Sequence, residues 1–109
     1  MMRTSLLLSA ALCSITSTLA HADPVPDFYQ NRTVSLIVGF PPGGGYDANM
    51  RVLSRHIGKY IPGHPRVQVQ NMPGASSRVA TNYIYALAPK DGSIIGAVSE
   101  AVPMSQALG

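Results

Sequence analysis

With 109 residues, eight Lys or Arg against five Asp or Glu and only 12% charged residues, the chain carries a mild positive balance. Its cations are spaced out and not interleaved with aromatics, which argues against a nucleic acid partner. A single cysteine excludes an internal disulfide framework, and the length allows one small domain at the marginal end of what one core supports without staples.

Met1 to Ser5 contains one charge, Arg3, and Leu6 to Thr18 is uncharged and largely apolar. Ala20 and Ala22 then supply small residues at the two positions that a signal peptidase reads. The pattern predicts a cleaved secretory signal over residues 1–22, with cleavage after Ala22 and a mature domain over 23–109. The apolar stretch is shorter than the roughly 18 to 20 residues of a membrane-spanning helix. No later segment approaches that length, so the mature chain is expected not to span a membrane. Cys13 lies within the leader, preceded by bulky Leu12 where a lipid-attachment signal needs a small residue. The mature chain then has no thiol for redox or metal chemistry. Its charge falls to seven basic against five acidic residues.

Beyond the leader, Thr33 to Phe40 is apolar on both sides apart from Ser35, as expected of a central parallel strand covered on each face. Phe40-Pro41-Pro42-Gly43-Gly44-Gly45 follows as a turn, and a helical pattern runs over about 47–60. In that helix Val52, Leu53, His56, Ile57 and Tyr60 form the expected buried stripe, with Arg51, Arg55 and Lys59 on the solvated side. Pro62-Gly63 ends it. Val67-Gln68-Val69-Gln70 alternates and predicts a strand nearer an edge. A second helix is expected over about 76–88, burying Val79, Tyr83, Ile84 and Leu87, with Pro89-Lys90-Asp91-Gly92 as stop and turn. Ile94 to Val98 reads as another strand covered on both faces.

The order strand, helix, strand, helix, strand predicts an α/β fold with an open, parallel, doubly wound sheet, whose ligands bind beyond the carboxyl ends of the strands. Three loops lie at that end: Pro41 to Asp47, Pro73-Gly74-Ala75-Ser76-Ser77, and Ser99-Glu100. In the first, a glycine turn feeding a helix lets backbone N–H groups approach a ligand with no side chain in the way, and the helix dipole favours an anion. A tight turn with no ligand is the competing reading. No Lys-Ser/Thr pair follows the last glycine, so this is not a phosphate loop. Asp47 either caps the first helix with its carboxylate or touches a ligand, and the cap is preferred because the charge would repel an anion. Ser76 and Ser77 either cap the second helix or meet an anion there.

Neither catalysis nor metal binding finds a pattern. Ser93, Ser99 and Ser105 lack a Gly-x-Ser-x-Gly context, and Glu100 is the only glutamate. His56 is expected to be a core residue and His64 a turn residue, with no metal-ligand spacing between them. The chain is therefore expected to be no enzyme, with no catalytic residue, no metal and no cofactor.

Three motifs in order carry a resemblance: Val38-Gly39-Phe40-Pro41-Pro42-Gly43-Gly44-Gly45-Tyr46-Asp47, Val69-Gln70-Asn71-Met72-Pro73-Gly74-Ala75, and Ala88-Pro89-Lys90-Asp91-Gly92. Together they resemble the extracytoplasmic solute receptors of tripartite tricarboxylate transporters, the Bug family, over about residues 27–109. The resemblance implies a periplasmic binding protein-like fold in which two α/β lobes close on a small organic carboxylate and hand it to the membrane subunits of a transporter. It implies that the loop after the first strand holds a ligand carboxylate, partly through ordered water. The candidate ligand-binding residues are Pro42, Gly43, Gly44, Gly45, Tyr46 and Asp47, with Ala75 and Ser76 in the second loop and Ser99 in the third. Many relatives carry a small hydroxyl residue at the position of Tyr46 and a glycine at that of Ser76. Such receptors are much longer, so residues 23–109 are expected to form a truncated first lobe. A ligand-sensing module for a membrane histidine kinase and a nonfunctional fragment are the alternative readings.

Overall fold

The structure, a computed structural model, describes residues 25–108. The expected leader, its cleavage site, Cys13 and His21 lie outside the described residues. In chain order the elements are helix α1 (Val25–Tyr29), strand β1 (Thr33–Val38), helix α2 (Gly45–Ile57), strand β2 (Arg66–Asn71), helix α3 (Arg78–Ala86), strand β3 (Ile94–Ala97) and helix α4 (Ala101–Ala107). Short 3₁₀ turns extend α2 over Gly58–Tyr60 and precede α3 over Ala75–Ser77. The three strands form one parallel sheet in the order β2-β1-β3. The α/β class and the doubly wound order are those expected from the sequence. Helices α1 and α4 were not anticipated, since five and seven residues are too few for helical periodicity to stand out.

The register shows which helix covers which face. Val34 pairs with Val67, and Ile37 pairs with Gly96. Because side chains alternate along a strand, these two pairs lie on opposite faces. A Cβ placed on Gly58, at the end of α2, would sit 3.4 Å from Val67, and one on Gly96 would sit 2.6 Å from Ile84 of α3. Thus α2 covers the face of Val34, Leu36 and Val38, and α3 covers the face of Ser35 and Ile37. This is why β1 is apolar on both sides. Val34, Leu36, Ile37 and Val38 are all essentially inaccessible and form most of the core. Complete burial of such side chains stabilises a fold by about 1.5–3 kcal/mol each.

β2 alternates as expected of an edge strand: Val67, Val69 and Asn71 are half-buried toward α2, while Arg66, Gln68 and Gln70 are exposed. β3 differs from expectation. It too lies at an edge of the described sheet, its Ile94 and Ile95 are only half-buried, and Gly96 is exposed. A short apolar run reads alike whether one neighbour or two flank it, and only β1 pairs with it here.

The expected helix stripes are also displaced. In α2, Val52, Leu53 and His56 are exposed, as is Tyr60 in the following 3₁₀ turn; only Ile57 of the expected stripe is half-buried. The face toward the sheet runs through Asp47, Met50, Ser54 and Ile57, because the fixed side chain of Asp47 sets the rotation of the first turn. In α3, Ala80 is buried, Ile84 and Tyr83 are half-buried, and Val79 and Leu87 are exposed. The docked face runs through Ser77, Ala80, Thr81, Ile84 and Ala88, where small residues allow α3 to approach β3 closely.

Candidate site at the carboxyl rim of the sheet

All three loops meet at the carboxyl end of the sheet. Met72 N–H donates to Val38 O at 2.7 Å, and Gly39 N–H to Ala97 O at 3.0 Å, so the loops leave three adjoining strands side by side. Gly39 then permits close approach of the second loop. Its carbonyl accepts a bond from the buried Ser77 hydroxyl at 3.2 Å, and a Cβ on Gly39 would lie 2.4 Å from Ser77 Oγ. The expected cap by Ser77 is therefore replaced by a bond to the neighbouring strand.

In the first loop Gly43 has φ +95°, a conformation that disfavours side chains, whereas Gly44 is extended (φ −84°, ψ 177°). Pro42, Gly43, Gly44 and Gly45 are exposed, and Cβ atoms built on the three glycines would meet nothing within 4 Å. Gly44 is the N-cap of α2 and supplies no side chain to the first turn. The N–H groups of Gly45, Tyr46 and Asp47 have no acceptor within the helix.

Asp47 is only 3% exposed, with its carboxylate turned into the loop. It accepts bonds from Arg51 Nε at 2.8 Å, Gly43 N–H at 3.0 Å and Asn71 Nδ2 at 2.8 Å. The Arg51 guanidinium, then the Gly43 amide and Asn71, hold this carboxyl well below the usual range. Asp47 is thus bonded within the protein, and instead of the expected cap on the first turn it reaches back to Gly43 ahead of the helix. Arg51, assigned from its pattern to the solvated face, is drawn to Asp47 one turn away. That signal was legible in the i,i+4 spacing of opposite charges.

Tyr46 stacks on Phe40, with ring centroids 4.2 Å apart, and its phenol donates to the Glu100 carboxylate of the third loop. This bond raises the phenol's pKa and lowers that of the carboxyl. Ser99, beside Glu100, accepts Ala101 N–H on its hydroxyl at 3.2 Å. In the second loop Ala75, Ser76 and Ser77 all have positive φ, at 44°, 51° and 70°. Ala75 and Ser76 line a groove of about 370 Å³ with Arg78, Ala101, Val102 and Ser105, so they face α4, while Pro42 to Gly45 lie outside that groove. Among the described residues, no group of three His, Asp or Glu side chains is placed to hold a metal, and no helix is long and apolar enough to cross a membrane.

Sequence reasoning did not single out Asn71, Arg51 or Glu100 as site residues. Asn71 was legible only through strand register, which puts it on the α2 face with Val67 and Val69. Glu100 was placed at the rim by its loop, but its bond to Tyr46 carried no signal, because the two lie 54 positions apart.

No family model matches the chain. It is 35% identical over 102 residues to Protein BugT of Bordetella pertussis (strain Tohama I), an alignment covering 93% of this chain and 30% of that protein. It is 33% identical over 89 residues to the UPF0065 protein in the tcbD-tcbE intergenic region of Pseudomonas sp. (strain P51), covering 82% of this chain and 25% of that one. The chain thus spans less than a third of the length of these curated relatives. With this likeness running through most of its residues, and with the three motifs in order on a parallel α/β sheet, the chain is similar to a Bug-family protein fragment over the span that it shares with them.

Proposed function

We propose that the chain forms part of the first lobe of a periplasmic solute receptor, which captures a small di- or tricarboxylate for a tripartite membrane transporter and is not an enzyme. Residues 1–22 act as the export signal and residues 23–109 as the lobe segment. The ligand-facing groups are the amides of Gly44, Gly45 and Tyr46 beside Pro42, with Gly43 and Asp47 bonded to each other behind them; Ala75 and Ser76 in the second loop and Ser99 in the third flank them on the same rim. A second lobe closing on this rim supplies the remaining contacts and the choice among carboxylates.

One observation carries the reading. The first turn of α2 presents uncapped N–H groups from an exposed glycine turn at the carboxyl rim, where open parallel sheets take their ligands. Charge favours the same ligand class: the helix dipole is positive there, and the Asp47 charge is offset by Arg51.

Gly44→Val tests this, because its extended backbone and open surroundings accept a side chain without strain, while the branched side chain obstructs approach to the amides. Calorimetry of the chain with acetate, succinate and citrate should give affinities at least about tenfold weaker in the variant, the loss of one charge-assisted bond. Equal carboxylate affinities in variant and parent would remove the glycine turn from the site.

A further inference from the structure

One closed ring of hydrogen bonds ties the first loop to the second. Asp47 Oδ2 accepts Arg51 Nε–H and Gly43 N–H, and Asp47 Oδ1 accepts Asn71 Nδ2. Asn71 Nδ2 also donates to Phe40 O at 3.0 Å, and Asn71 Oδ1 accepts Arg51 Nη2 at 3.1 Å. Every polar end of the Asn71 amide is engaged, and among the described residues no buried side-chain nitrogen or oxygen lacks a partner. Asn71 is the last residue of β2 and opens the second loop, whereas Phe40, Gly43 and Asp47 belong to the first. The ring therefore spans both loops at their roots.

Resting on the carboxylate reading above, we propose that Arg51 and Asn71 are positioning residues for the anion site. They fix Asp47 so that its carboxylate draws in the Gly43 amide, leaving the N–H groups of Gly44, Gly45 and Tyr46 as those open to a solute. The ring also separates charge from function. An unpaired carboxylate behind the turn would repel an incoming anion, but Arg51 cancels it at 2.8 Å. With three donors already on its two oxygens, Asp47 is occupied by the protein itself. Asn71 contributes no charge; its role is geometric, bridging Phe40 O and Asp47 from one amide group.

The test uses the full chain labelled with ¹⁵N, with amide hydrogen exchange and citrate-induced shifts measured on the same samples. In Asn71→Ala and Arg51→Met, exchange at Gly43 should accelerate about tenfold or more, as expected when a charge-assisted bond is released, while Leu36 and Ile37 keep their protection. Arg51→Lys, which keeps the charge but not the forked reach to both Asp47 and Asn71, should restore citrate shifts at Gly44 and Tyr46 only in part. Unchanged Gly43 exchange would overturn the assignment. So would acceleration by the same factor through β1, which would mark a general loss of fold. If the unsubstituted chain shows no citrate shifts anywhere, the carboxylate reading fails by itself, and the exchange data still decide whether the ring positions the loop.

Discussion

The first and second rim loops perform the same task, turning the chain from a parallel strand into a helix, by opposite means. The first uses glycine sparingly for strain: only Gly43 needs a positive φ, and a polar ring centred on Asp47 holds the shape. The second places Ala75, Ser76 and Ser77 in left-handed backbone after Gly74, and holds them by packing Ser77 against Gly39. A turn stabilised by polar bonds leaves its amides open on the outside. A turn held by packing stores backbone strain, and two of its residues line a groove against α4.

The difference is open to direct attack. Gly39→Val should have the largest effect, destabilising the chain by about 3 kcal/mol in urea unfolding, because the new side chain collides with Ser77. Gly44→Val in the first loop should lie within about 0.5 kcal/mol of the parent, since its surroundings are empty. Similar losses from both would erase the contrast. Gly43→Ala should cost about 1–2 kcal/mol through its left-handed backbone alone, visible as a lower thermal midpoint. Ser76→Gly should move the other way, stabilising the second loop by about 0.5–1 kcal/mol as strain is relieved against a higher unfolded-state entropy.

A small pH effect separates the loops further. The folded pKa of Asp47 is depressed, so its contribution is present above the unfolded carboxylate value of about 3.9 and is lost as pH falls through the folded value. Arg51→Met removes the largest cause of that depression. The remaining contribution then disappears at a higher pH, and an acid titration followed by circular dichroism should show a small upward shift in the midpoint. A midpoint unmoved by this substitution would mean that Arg51 does not support the carboxylate.

Much of the fold was legible because β1 is apolar on both sides and the turns carry strong signals. Pro62-Gly63, Pro89 to Gly92 and the glycine run divide the chain near its observed boundaries. Helix orientation was less legible. Hydrophobic periodicity favoured the stripe of Val52, Leu53, His56 and Tyr60, but the buried Asp47 carboxylate at the head of α2, paired with the half-exposed Arg51, fixes its rotation, and those residues lie outside. The candidate site was legible as a glycine turn before a helix. Its supporting residues were less so, because the bridge from Asn71 to Phe40 depends on strand register, and the bond from Tyr46 to Glu100 joins loops distant in sequence.

The most direct measurement is a ¹⁵N-resolved titration of the chain with citrate at constant ionic strength and pH, with chloride as the control anion. The account predicts saturable shifts concentrated at the Gly44, Gly45 and Tyr46 amides, with Leu36 and Ile37 unmoved. Silence at those three amides, while citrate shifts residues elsewhere, would contradict it.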